Sequence, residues 1–316
     1  MTATGWLFPD PAQLHQLERL TIAAKGRVRG TMQGKRRSRL LGSSLEFADF
    51  RPYAPGDDIR RLDWNVYGRT GKAFIRQFWD EQEMNLSLYI DGSPSMRFGY
   101  VPGEEGRMAP PKTNKLACAL RLAACVGYAA LAGEDRVAAC VFADRRISAL
   151  PAVRGKGAAL RLFAYLEEEL ARPVAEAPGT DDLRVAFSQA GVYPRTPGQS
   201  WLFTDGLYAQ GLETVLNRFA TAGQHLVFVH VLGPEELAPD LAGERKLIDA
   251  ETGEDKDVAF GANVQKAYYR ELNAHIAMIR KWCAGRGFDY VLADTSVPAV
   301  EIAARMLLAG DGRRSR

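Results

Sequence analysis

From Met84 onward the sequence alternates two kinds of stretch, and this alternation limits the fold more than any other feature. Short apolar runs recur at Leu86–Ile90, Arg136–Phe142, Trp201–Thr204, Leu226–Leu232 and Tyr290–Ala293. Between them lie longer stretches of helical spacing: Asn114–Leu131, Gly157–Leu170, Asp182–Ala190, Gly211–Ala222, Val264–Arg286 and Pro298–Leu308. Leu160, Phe163, Leu166 and Leu170 are predicted to point inward, and Tyr268, Leu272, Ile276, Ile279 and Cys283 share one face of their helix. Strands that are apolar throughout are covered on both faces. Strands separated by helices are joined by parallel crossovers. The expectation is an α/β fold with a doubly wound, mostly parallel sheet and helices on both faces. Two pieces depart from the rule. Arg145–Leu150 is expected to pair back on its predecessor, and the charged segment Arg245–Val258 reads as a hairpin turning at Thr252-Gly253.

The residues before Met84 read differently. Pro11 and the spacing of Leu14, Leu17 and Leu20 mark a helix that Gly26 can end. A basic arm follows, with seven cations and no acid between Lys25 and Arg39. The dense segment from Gly42 to Glu83 then mixes aromatics with both charge signs. At about 150 residues per domain, a chain of 316 residues is expected to hold two parts. These are residues 1–83, an N-terminal extension packed on the rest, and 84–316, the α/β domain. Residues 1–83 carry 14 Lys+Arg against 10 Asp+Glu, a charge of +4, and the remaining residues carry −1, for a net +3. The basic arm has no interleaved aromatics, which argues against specific nucleic-acid reading.

A hydrophobic content of 47% with 25% charged residues excludes a disordered or fibrous chain. The longest apolar stretch, Leu116–Leu131, is interrupted by Arg121 and falls short of a roughly 20-residue membrane span. Residues 1–10 lack the basic start and apolar run of a signal peptide. A cytoplasmic location is expected. Cys118, Cys125, Cys140 and Cys283 form no C-x-x-C pair and read as buried thiols.

Ligands of open α/β sheets gather at the carboxyl ends of the strands. Asp91-Gly92-Ser93-Pro94-Ser95 follows the first such strand, and Thr204-Asp205-Gly206 follows a central one. Pro178-Gly179-Thr180-Asp181-Asp182 opens a helix between them. The candidate site is therefore Asp91, Ser93, Ser95, Thr180 and Asp205, with Asp205 in a surface loop. An all-oxygen set with few carboxylates suits Mg²⁺, or Mn²⁺, which accepts the same donors.

The three-part pattern resembles the metal-ion-dependent adhesion site of von Willebrand factor A domains: D-x-S-x-S, a G-T before a helix, then T-D-G. Upstream, Arg51-x-Tyr53-x-Pro55-Gly56-Asp57-Asp58-x-Arg60-x-x-Asp63-Trp64 resembles the hallmark of a bacterial family catalogued as domain of unknown function fifty-eight. The hairpin segment Asp249-x-Glu251-Thr252-Gly253-Glu254 resembles that family's pattern too. The resemblance implies an A-like domain and a metal-dependent, non-enzymatic protein-binding module. Its implied partner is a MoxR-type AAA+ ATPase, with the pair acting in assembly or maturation of client proteins. Many relatives carry transmembrane helices before this block; residues 1–50 contain no such run, so membrane anchoring is not expected. The hallmark itself is expected to be an ion-pair network with Trp64 buried.

A metal-dependent hydrolase such as a phosphatase is the competing class, because Asp91 is placed as a carboxylate nucleophile. Position 93 is serine, however, so the second carboxylate of an acid–base pair is missing.

Overall fold

The computed structural model describes residues 7–8, 12–18, 47–55, 57–78, 84–97, 101–102, 108–109, 114–143, 146–172, 182–188, 193–239, 243–249 and 254–309. The basic arm 25–39, Gly56, Thr180 and the Thr252-Gly253 turn lie outside them. Two compact units emerge, Arg29–Glu83 and the combination of Met1–Val28 with Met84–Arg316. The boundary expected at 83/84 is thus joined by a second at 28/29. The reason is packing: Leu7, Phe8 and Leu17, the last on a helix of residues 12–18 (α1), are buried in the larger unit's core.

The small unit is a two-stranded antiparallel hairpin, β1 (Phe47–Pro52) with β2 (Phe74–Phe78), enclosing helix α2 (Trp64–Thr70). Its hallmark aspartates act mainly as caps. Asp58 accepts the Arg60 amide at the head of a short 3-10 turn, and Asp63 accepts the amides of Asn65 and Val66 at the start of α2. Asp57 forms a paired fork with Arg51, at 2.6 Å for each contact. The Arg51 guanidinium, helped by the Ala54 amide, holds the Asp57 carboxyl down at about 2. Among the described residues, the contacts of the segment include one ion pair and two caps. Trp64 is 64% exposed rather than buried, because α2 buries none of its residues.

In the larger unit, β3 (Asn85–Asp91) is the central strand, and the short pair β4 (Val101–Pro102) and β5 (Met108–Ala109) follows it. Next come α3 (Lys115–Ala132), β6 (Arg136–Ala143), β7 (Arg146–Arg154), α4 (Ala159–Ala171) and α5 (Leu183–Ala186). The chain continues through β8 (Gly198–Thr204), α6 (Leu212–Thr221), β9 (Gln224–Leu232) and α7 (Pro234–Leu237). It ends with the hairpin β10 (Gly243–Ile248) and β11 (Asp255–Phe260), then α8 (Ala262–Gly285), β12 (Asp289–Asp294) and α9 (Ala299–Ala309). The sheet order is β12-β9-β8-β3-β6-β7, parallel except for the antiparallel β6–β7 pair. The chain winds from β3 toward β6 and β7, then resumes on the other side at β8. The crevice between the carboxyl ends of β3 and β8 is the switch point where doubly wound sheets bind ligands.

Two apolar clusters cover the faces. One gathers α1, α3, α4 and α9, and the other α5, α6 and the C-terminal half of α8. Helix α3 is long and apolar enough to cross a bilayer, yet 83% of it is buried in this core. Its Gly127 lets the helix approach closely: an added Cβ would lie 2.5 Å from Leu162 and 3.2 Å from Leu88. We expect Gly127→Val to cost about 1–3 kcal/mol by overpacking, seen as a lower urea midpoint with an unchanged slope. All four cysteines are buried, and burial pushes the thiols of Cys118, Cys140 and Cys283 up to about 12.

One predicted inward face is corrected. Leu160 is 62% exposed, since the buried stripe of α4 runs through Ala159, Leu162, Phe163 and Leu166. On α8 only Ile279 and Cys283 are buried. Along the same face Leu272 and Ile276 are half-buried and Tyr268 is 37% exposed. Helix α5 spans four residues where a longer helix was predicted.

Candidate functional site at the sheet switch point

Asp91 ends β3 and is fully buried. One carboxylate oxygen accepts the Ser93 amide and the Tyr208 hydroxyl, both at 3.0 Å. The other accepts the Thr204 hydroxyl at 2.6 Å. Three donors therefore fix this side chain across the β3–β8 crevice. Burial first, then the nearby Asp205 carboxylate, push the Asp91 carboxyl up to about 7. Ser93, 4% exposed, places its hydroxyl 3.1 Å from that of Ser95.

Thr204 and Asp205 close β8. Gly206 donates its amide to the Thr204 hydroxyl oxygen at 3.0 Å and takes φ +67°, a left-handed backbone that suits glycine. An added Cβ there would meet Ile279 at 2.9 Å. Asp205 is 1% exposed, so it does not sit in an open surface loop as expected. Its carboxylate accepts the Lys115 ammonium at 2.8 Å, and the same ammonium reaches Glu236 at 2.5 Å. Glu236 in turn accepts the Gly233 amide. Burial alone would lower the Lys115 pKa, but Asp205 and Glu236 outweigh it and the net displacement is upward.

Beneath this pair lies His230. Its Nε2 is 2.7 Å from the Asp205 carbonyl and its Nδ1 is 2.8 Å from the Tyr290 hydroxyl. A carbonyl only accepts, so Nε2 carries the proton and Tyr290 donates to Nδ1. Burial lowers the His230 pKa to about 4, keeping the ring neutral in this role. His230 thus acts as a prop for the Asp205 backbone.

Four of the five predicted site residues, Asp91, Ser93, Ser95 and Asp205, are gathered at one edge of the sheet through these contacts; Thr180 lies outside the described residues. Sequence reasoning missed Lys115, Tyr208, Glu236 and the structural use of Thr204 and His230. Among the described residues, no group of three or more His, Cys, Asp or Glu side chains is placed to hold a metal ion. A carboxylate-rich cage is therefore not what this edge offers. The hydroxyl pair fits a different centre: at octahedral distances of about 2.1 Å, neighbouring oxygen ligands lie roughly 3.0 Å apart, close to the 3.1 Å between Ser93 and Ser95. The donors fit a Mg²⁺ ion that keeps several waters, with Asp91 behind the hydroxyls and Asp205 already engaged by Lys115.

The chain belongs to the family described as "Protein of unknown function DUF58", which matches residues 49–278. It is 26% identical over 278 residues to an uncharacterized protein of Mycobacterium tuberculosis (strain ATCC 25618 / H37Rv), covering 88% of this chain and 83% of that one. An uncharacterized protein of Mycobacterium bovis matches to the same extent. Among solved structures, an aerotolerance-related membrane protein from Bacteroides fragilis aligns at 15% identity and a TM-score of 0.38, over 72% of this chain and 99% of that one. The conserved hypothetical protein BatB from Bacteroides thetaiotaomicron aligns at 16% identity and a TM-score of 0.36, over 73% and 99%.

Proposed function

We propose that this member of the DUF58 family is a non-enzymatic, metal-dependent protein-binding module whose switch-point edge grips a carboxylate of a partner. The observation that carries the reading is the Ser93–Ser95 hydroxyl pair set beside the buried Asp91. When bound there, Mg²⁺ or Mn²⁺ supplies an electrophilic position for a carboxylate ligand. The protein's own residues do the rest. Ser93 and Ser95 present hydroxyl oxygens, and Thr204, Tyr208 and the Ser93 amide hold Asp91 in place. Lys115 pairs with Asp205 and Glu236, so Asp205 is held by the protein's own cation.

The same contacts weigh against hydrolysis. Both oxygens of Asp91 are engaged by three donors, which leaves it poorly placed to attack phosphorus. The adaptor role beside a MoxR-type AAA+ ATPase and its client completes the proposal; it rests on the family resemblance.

The test uses Ser95→Ala, which alters the edge without opening the Asp205–Lys115 pair. We expect roughly 10–100-fold weaker Mg²⁺ binding by calorimetry, the usual range for losing a supporting ligand. Capture of the candidate ATPase should fall with EDTA and return with Mg²⁺. Capture that ignores both EDTA and Ser95→Ala would remove the metal from the mechanism.

A further inference from the structure

The two edges of the central sheet are treated differently. At one end, β7 carries Pro151 and terminal arginines, and its pairing with β6 shifts register between Val137 and Ala139. Proline, charge and a bulge are the usual devices that stop an edge from recruiting another strand. At the other end, β12 has none of these along its middle, Tyr290-Val291-Leu292-Ala293. Its ladder with β9 is regular over six residues, and no strand pairs with its outer side among the described residues.

That outer side forms the floor of a groove of about 490 Å³ between α8 and α9, lined by Arg280, Tyr290, Leu292, Asp294, Ile302 and Met306 among others. The backbone direction follows from one bond: the Thr295 amide donates to Leu232 of β9 at 3.0 Å. Backbone groups alternate sides along a strand, so Tyr290, Leu292 and Asp294 aim their N–H and C=O groups into the groove. Leu292 is 38% exposed there. The Arg280 guanidinium stacks 5.1 Å from the centre of the Tyr290 ring. Asp294 accepts the Ser296 amide, which fixes its carboxylate at the strand's end.

We propose that two copies of this chain associate by antiparallel pairing of β12 with β12, about a two-fold axis at Leu292. The charges select this occupant. The axis sets Leu292 against itself and Tyr290 against the second copy's Asp294, each opposed pair exchanging both backbone hydrogen bonds. Arg280, lying over Tyr290, then meets the second copy's Asp294, and the contact is repeated by symmetry. The edge is thus complementary to itself in charge, and the same patch serves on both copies, as a two-fold interface requires.

Sedimentation velocity on the full chain tests this. The wild type should dimerise with concentration. Leu292→Lys, at an exposed position, should give a monomer of unchanged melting temperature. Arg280→Asp and Asp294→Arg should each weaken self-association by about tenfold or more, because two attractive contacts become repulsive. An equimolar mixture of those two variants should dimerise again, since both contacts then pair opposite charges. Asp294→Arg gives up the Ser296 contact and is checked by melting. If it unfolds, Arg280→Asp against Arg280→Lys decides, because Arg280 sits on an exposed helix face. A wild type that stays monomeric at every concentration, or dimers indifferent to Leu292→Lys and Arg280→Asp, would overturn the proposal.

Discussion

Lys115→Met should destabilise the larger unit by about 3–5 kcal/mol, the usual cost of removing one member of a buried ion pair. The ammonium lies between Asp205, 1% exposed, and Glu236, 27% exposed. Methionine keeps most of the volume, so the loss reports charge rather than a cavity. Asp205 suffers most, because it is left without its cation and cannot turn to water. At roughly 2–4 °C per kcal/mol for a chain of this size, the melting temperature should fall on the order of 10 °C. Adding Asp205→Asn to Lys115→Met should recover part of the loss, because the stranded charge is then gone. A single variant that melts within a degree or two of wild type would show that the triad contributes little and that Asp205 is solvated in solution.

Lys115 also shows where the sequence was legible and where it was not. A lysine at the first position of a helix opposes the helix dipole, which favours acids there. The first turn of α3 contains no acid at all. A local rule broken without local compensation often marks a site, and this one was available from the sequence. Tyr208 offered no such signal, since its hydroxyl reaches Asp91 from a loop whose path only the fold determines. The strands were readable because burial on both faces leaves near-continuous apolar runs, as in Leu226–Leu232, where His230 is the one polar residue. On α8 the periodic stripe from Tyr268 to Cys283 gave a shared face but not its depth: Ile279 and Cys283 are buried, while Tyr268 is 37% exposed. The aspartates of the hallmark were legible as important but not in kind. Asp58 and Asp63 precede short helical turns, a capping position, and the neighbouring arginines drew attention from that simpler role.

Asp91→Asn should stabilise the metal-free protein at pH 8 by on the order of 2–4 kcal/mol while leaving it nearly unchanged at pH 4–5. The sign follows from the direction of the shift. The ordinary carboxyl value is 3.8, and burial together with Asp205 raises it to about 7 in the folded chain. A raised carboxyl favours the protonated form on folding. Its contribution is therefore complete below about pH 4 and is lost as pH rises through about 7. The wild type should show that slope between pH 4 and 8, and Asp91→Asn should flatten it. The introduced amide still accepts from Ser93 and Tyr208. It reverses only the Thr204 bond, at a cost near 1 kcal/mol. Added Mg²⁺ is the second arm: under the proposed metal-dependent reading, an ion bound by the folded state would favour the ionised carboxyl. At about 100 times its dissociation constant, Mg²⁺ should stabilise the wild type at pH 8 by about 2.7 kcal/mol, while Asp91→Asn should respond far less. Equal stabilisation of both would place the ion away from Asp91. A flat wild-type pH profile would mean that Asp91 is ionised at ordinary cost, with water rather than an ion completing the crevice.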